Sequence, residues 1–155
     1  MSIILGIDPG TFLTGYGVLE EGEIIDWGLF KPPTRTDPHK RLLIMGEAFR
    51  TVLEKYRPNR LAIEQTFVGK YPRTVIALSH LRGVFIFLTK ERGIDLEEYS
   101  AKEVKNLVTG RGDSDKQMMI HAIANKFDLN PKTLNDNCAD AIALAYFSHL
   151  LNKQA

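Results

Sequence analysis

Ile3-Ile4-Leu5-Gly6-Ile7-Asp8-Pro9-Gly10 is the stretch that decides the fold. Four aliphatic residues run there without polar alternation, the pattern of a strand buried on both faces in the middle of a sheet. Asp8 puts a carboxylate at the end of this apolar run, and Pro9-Gly10 then turns the chain. Such a carboxylate is costly to bury unless something pairs with it. Two roles suit Asp8. It either caps the turn by accepting from the backbone N–H of Gly10 or Thr11, or ligates a metal at the end of a central strand.

Downstream, residues 14–19 and 23–31 read as two strands joined by Glu20-Glu21-Gly22, an antiparallel hairpin following the first strand. Asp37 and Pro38 supply an N-cap and a first helical residue, and Leu42, Met45, Phe49, Val52 and Leu53 recur at helical spacing until Pro58. Residues 60–65 form a short apolar strand that again ends in a carboxylate, Glu64. A helix over 74–92 is apolar on most sides, so sheet, other helices or a second subunit must cover it broadly. Residues 95–99 give a fifth strand. Ser100 with Glu103 makes a capping box, and Ser114 is expected to cap a helix running to Phe127. A last helix spans about 135–151. A hairpin followed by strands joined through helices implies an α/β fold, a mixed five-stranded sheet with helices on both faces. Residues 1–155 are expected to form a single domain.

Composition narrows the class. With 44% hydrophobic and 25% charged residues, nothing points to disorder or a fibrous repeat. Net charge is +1, so any contact with nucleic acid must come from a local basic patch. The single cysteine, Cys138, rules out an intrachain disulfide and suits a reducing compartment. No signal-peptide pattern opens the sequence, and its most apolar window is too short to span a bilayer. A cytoplasmic protein with no membrane contact is expected.

Asp8 and Glu64 end two strands, and Asp140 sits in the small-residue helix segment Ala139-Asp140-Ala141. Parallel neighbouring strands would bring the first two to one rim of the sheet, where sites of α/β proteins collect, and a helix packed across it would add the third. Hard oxygen ligands on rigid elements suit Mg²⁺, and the chemistry that uses them is two-metal phosphoryl transfer.

These segments resemble the RuvC family of Holliday-junction resolvases. The resemblance runs from residues 3–10 and Thr14-Gly15-Tyr16-Gly17-Val18 through Ala62-Ile63-Glu64-Gln65, Val104-Lys105 and the glycine-rich loop to Lys116. It ends in Ala139-Asp140-Ala141-Ile142-Ala143-Leu144-Ala145 and covers essentially the whole chain. It implies an RNase H-like fold and a homodimer that nicks two symmetric strands of a four-way DNA junction. Mg²⁺ would serve as cofactor, two ions per site by family pattern, with Mn²⁺ able to substitute. A RuvA–RuvB branch-migration complex would be the partner. Carried over by position, Asp8, Glu64 and Asp140 match three of four metal ligands. The fourth falls on Asn137, where the family has Asp or His. Asn137 is a weaker neutral ligand, an engineered inactivating change, or a bystander to Asp136, which stands one helical turn before Asp140.

For DNA, the resemblance assigns Lys105 and Lys116 to phosphates near the active site and Phe67 to the junction crossover. Lys70, Arg73 and Arg111 add cations in adjoining loops. Against these roles stand solvated helix faces for the lysines and a core anchor for Phe67. Two other functions compete. One is a junction-binding protein whose nuclease is weakened at Asn137. The other follows from the resemblance of Asp8-Pro9-Gly10-Thr11 to the phosphate loop of actin-like ATPases and sugar kinases, which need two such domains where this chain has room for one.

Overall fold

The computed structural model describes residues 2–65, 69 and 71–153. Its strands are β1 (Ile3–Asp8), β2 (Thr14–Glu20), β3 (Glu23–Phe30), β4 (Arg60–Glu64) and β5 (Asp95–Tyr99). They form one mixed sheet in the order β3-β2-β1-β4-β5. The opening strand is central, as its unbroken apolar run requires. β1 pairs antiparallel with β2 and parallel with β4, which in turn pairs parallel with β5.

The helices are α1 (Pro38–Tyr56), α2 (Pro72–Glu91), α3 (Ala101–Thr109), α4 (Lys116–Phe127) and α5 (Asp136–Lys153). Alternation along β1 divides the core in two. Leu5 and Ile7 face α1 and α2, meeting Met45, Phe49, Leu81 and Phe85. Ile4 faces the other side, packed with Val104 of α3, Met119 and Ile123 of α4 and Ile142 of α5. Helices thus cover both faces, as the sequence predicts. None of them, among the described residues, is long and apolar enough to cross a membrane.

Local signals act mostly where expected. Asp37 accepts from the backbone N–H groups of His39 and Lys40 at 3.1 and 3.2 Å. The Ser100–Glu103 capping box forms both of its hydrogen bonds, at 2.8 and 3.1 Å. One cap differs: α4 starts a residue later than Ser114 would place it. Asp115 is its N-cap, accepting from Met118 N–H at 2.8 Å. The Ser114 hydroxyl is buried and donates to the Arg111 carbonyl at 2.6 Å instead.

α5 lies directly on β1 and β2. The reason is the pairing of small residues: Gly6 and Gly15 present no side chain, and a Cβ on Gly15 would stand 2.3 Å from the Asn137 carbonyl oxygen. Ala139, Ala141 and Ala145 on the helix are fully buried against this surface. Backbone contact of this kind fixes the helix axis to within fractions of an ångström. It sets where Asp140 comes to rest.

Candidate active site

β1 and β4 run side by side with Ile7 opposite Ile63, so the residues that follow, Asp8 and Glu64, emerge at the same edge. α5 crosses that edge and delivers Asp140. The three carboxylates and Lys105 of α3 line one small pocket of about 60 Å³, walled by Val104, Met119 and Leu144. Helix α3 is aimed there by the capping box at Ser100.

Electrostatics in this pocket are strained by like charge. Burial pushes the Asp8 carboxyl well above its ordinary range, and the charges of Asp140, Glu64 and Asp136 push it further. Asp140 is pushed up to about 7 by burial and then by Glu64, with Lys105 and Lys116 pulling the other way. Glu64 also rises through burial, opposed by Lys105, by a hydrogen bond with Asp8 and by Arg82. Asp8 and Glu64 lie close enough to act on each other directly, and burial raises both.

No three His, Cys, Asp or Glu side chains among the described residues close around a single ion position. Carboxylates with no cation between them relieve their repulsion by sharing a proton or turning apart. The donor set itself is all hard oxygen and carries more negative charge than the pocket's one lysine offsets, which fits a divalent cation such as Mg²⁺. Among the described residues no imidazole lines the pocket.

Neither Asn137 nor Asp136 lines the pocket. The Asn137 backbone N–H donates to Asn135 Oδ1 at 2.7 Å, and its backbone carbonyl is pressed on Gly15. Asp136 is half-buried, and its charge adds to the upward push on both Asp8 and Asp140. Lys116 Nζ stands 3.6 Å from Asp136 Oδ2.

Of the expected DNA contacts, Lys105 is in the pocket and Lys116 is beside it. Arg111 lies on the exposed loop after α3, where Nε and Nη2 donate to the two Asp113 carboxylate oxygens at 3.1 Å each. Arg73 is exposed in the first turn of α2 and lines a different cavity. Phe67 and Lys70 lie outside the described residues.

Two contributors were not singled out by the sequence argument. Arg82 stands in the apolar run of α2 and is 5% exposed. Its Nη1 donates to the Glu64 backbone carbonyl, and Nη2 is 3.3 Å from Glu98 Oε1. A lone arginine in an apolar helix was the available signal, since such a charge is buried only when paired. Thr14 takes the capping role considered for Asp8: its Oγ1 accepts from Gly10 N–H at 3.2 Å and donates to the Gly10 carbonyl at 2.9 Å. Asp8 is thereby left to the pocket. Cys138 is buried with Sγ 3.3 Å from the Gly28 carbonyl, and burial pushes its thiol up to about 11, so it is a packing group.

Known proteins give the pocket a context. The family model for crossover junction endodeoxyribonuclease RuvC matches residues 4–149. The protein of that name from Legionella pneumophila strain Philadelphia 1 is 35% identical, over 98% of this chain and 90% of its own. The one from Moorella thermoacetica is 32% identical over 92% of this chain and 88% of its own. Among solved structures, T. thermophilus RuvC in complex with Holliday junction substrate superposes with a TM-score of 0.87 at 18% identity, covering 100% of this chain and 97% of that one. The yeast mitochondrial Holliday junction resolvase Ydc2 gives 0.70 at 16%, covering 99% and 80%. These two share the RNase H-like fold seen here. With its full run of elements matched and its carboxylates gathered at one sheet edge, the chain belongs to the RuvC family of crossover junction endodeoxyribonucleases.

Proposed function

We propose that this chain acts as a homodimer that resolves four-way DNA junctions, nicking two symmetric strands by Mg²⁺-dependent hydrolysis to leave 5′-phosphate and 3′-hydroxyl ends. Nucleases of the family depend on a divalent metal. The observation that carries the proposal is the meeting of Asp8, Glu64, Asp140 and Lys105 in one pocket.

Asp8, Glu64 and Asp140 would hold the cation, two ions per site in this proposal, with Mn²⁺ able to replace Mg²⁺. Asp136 or Asn137 would add a further oxygen. When bound, such ions neutralise charge on the phosphate and make a bound water more acidic. The chain's own side chains do the rest. Glu64, beside Asp8 at the rim of the sheet, would also orient the attacking water. The Lys105 ammonium offsets charge growing on the phosphate, more strongly for the apolar walls around it. Lys116, Arg111 and Arg73 hold the strand by its phosphates, and Phe67 with Lys70 would meet the crossover.

An exposed apolar face supports the dimer. Leu43 and Phe87 are exposed on neighbouring faces of α1 and α2, where they line a groove with Leu42, Gly46 and Val84. An exposed apolar patch of this kind marks an interface, and a two-fold contact there would give the junction two sites. Residues 1–155 would act as one nuclease domain in the cytoplasm, alongside a RuvA–RuvB motor.

Cleavage of a labelled four-way junction tests this, against a linear duplex and with or without Mg²⁺. Paired symmetric nicks are expected only on the junction and only with metal. Asp8→Asn should abolish nicking while leaving junction binding. Equal action on duplex would overturn the proposal. Tight binding without nicks would instead favour the weakened-nuclease alternative, to which the neutral side chain of Asn137 points.

A further inference from the structure

Four residues beyond Asp8, in the loop between β1 and β2, an aromatic side chain stands in solvent. Phe12 is 61% exposed. An exposed aromatic alone needs no explanation, but this one is built into a rigid arrangement. Thr14 ties off its loop through the two hydrogen bonds to Gly10. The guanidinium of Arg41 lies over the ring, 4.4 Å from its centroid, and is anchored through Nη2 to the Thr36 carbonyl at 2.9 Å. Arg41 Nε is buried with no hydrogen-bond partner among the described residues.

Beside this pair, α1 and α2 enclose a cavity of about 270 Å³. Arg41, Arg73, His39 and His80 line it over an apolar floor that includes Met45 and Leu81, and among the described residues no acidic side chain lines it. Two stretches of sequence link the cavity to residues of the active site. Thr11, next to Phe12, lines it three residues from Asp8. His80 and Leu81 line it immediately before Arg82, which holds the Glu64 carbonyl.

We propose that Phe12 and Arg41 form a stacking platform for one unstacked nucleobase of the DNA strand being cut, with Arg41 and Arg73 holding the adjoining phosphate. The inference rests on the nuclease assignment above and adds to it a base-sensing element. An aromatic face capped by a guanidinium offers a base stacking and cation–π attraction without a hydrogen-bond code. The basic lining selects an anionic occupant.

The test uses full-length protein and junctions carrying 2-aminopurine at single positions on either side of the cut. Without Mg²⁺, the parent should quench the probe at one position, and Phe12→Ala should lose that quench while Phe12→Tyr keeps it. With Mg²⁺, Phe12→Ala should slow cleavage by about tenfold, a typical loss for one stacked base. It should also change the ranking of junctions that differ only at that base. Duplex affinity, dimer mass by light scattering and melting temperature should match the parent. Parental quench and rates in Phe12→Ala would overturn the platform. So would a change in dimer mass, or a fall in melting temperature that accounts for the lost rate. A parent that does not prefer the junction to the duplex would instead sink the nuclease assignment, and would show before any variant is made.

Discussion

A Cβ placed on Gly6 would stand 1.9 Å from the carbonyl oxygen of Ala141. The two residues flank the site in sequence, Gly6 two before Asp8 and Ala141 one after Asp140. Their contact therefore sets the distance across the pocket. Gly6→Ala must push α5 off β1, because backbone atoms on a fully packed helix cannot turn aside. Urea denaturation should show a loss of about 3 kcal/mol or more, at the upper end for overpacking. Residual folded protein should cleave poorly even where it still binds the junction. Parental activity in a folded Gly6→Ala variant would mean that the helix position matters little to the chemistry.

Arg82 makes a second test of positioning. It bridges α2 to the Glu64 carbonyl and to Glu98, and it does not line the pocket. Arg82→Met keeps the buried stem but leaves the Glu64 carbonyl without its donor. Because Glu98 is partly exposed, the cost should be about 1–3 kcal/mol, not the larger value for a fully buried pair. The expected signature is a lower kcat with KM for the junction nearly unchanged, since the end of β4 is what loosens. A change in KM alone would assign Arg82 to DNA binding.

The carboxylates predict how stability responds to pH in metal-free protein. Asp140 is held at about 7 in the fold against an ordinary 3.8, and Asp8 is raised as well. Between these values the folded chain holds more protons than the unfolded one, so stability falls as pH rises from about 4 to about 7. Asp140→Asn should flatten that slope and raise the melting temperature at neutral pH by at least 2–4 °C, the shift that about 1 kcal/mol gives a chain of this size. Mg²⁺ should stabilise the parent more at pH 8 than at pH 5. A melting temperature independent of pH over this range would contradict the crowding of charge in the pocket.

How far the sequence alone reaches can be judged from particular residues. The unbroken apolar run of β1 gave its central place, and carboxylates ending two such runs gave the rim of the site. Caps at Asp37 and Ser100 were readable because each depends on side chains a few residues apart. Ser114 misled for the same reason reversed: a hydroxyl next to Asp115 had two local uses, and burial against Arg111 decided between them. Arg82 and Thr14 were hidden because their partners are set by tertiary contact or by the exact path of a turn. Phe12 was silent too. Its neighbour Arg41 lies 29 residues away on another element, and only the packing of α1 beside the β1–β2 loop stacks them.

The last question is which side chain supplies the fourth negative charge. Neither Asn137 nor Asp136 lines the pocket, but Asn137 is neutral, whereas the charge of Asp136 acts on both Asp8 and Asp140 and stands 3.6 Å from Lys116 Nζ. Asp136→Asn should therefore raise the Mg²⁺ concentration giving half-maximal cleavage by roughly fivefold, equivalent to about 1 kcal/mol of lost attraction. The same change also frees Lys116, so Lys116→Met is the needed comparison. Loss of the lysine should weaken junction binding and flatten its salt dependence while leaving the Mg²⁺ requirement near parental. Asn137→Asp adds a charge one residue further along the helix, turned about 100° from Asp136. If Asp136 already fills the role, that variant should change the Mg²⁺ requirement by less than twofold. A large gain in Asn137→Asp, with no effect of Asp136→Asn, would instead return the fourth position to residue 137 and make its asparagine the weak point of the site.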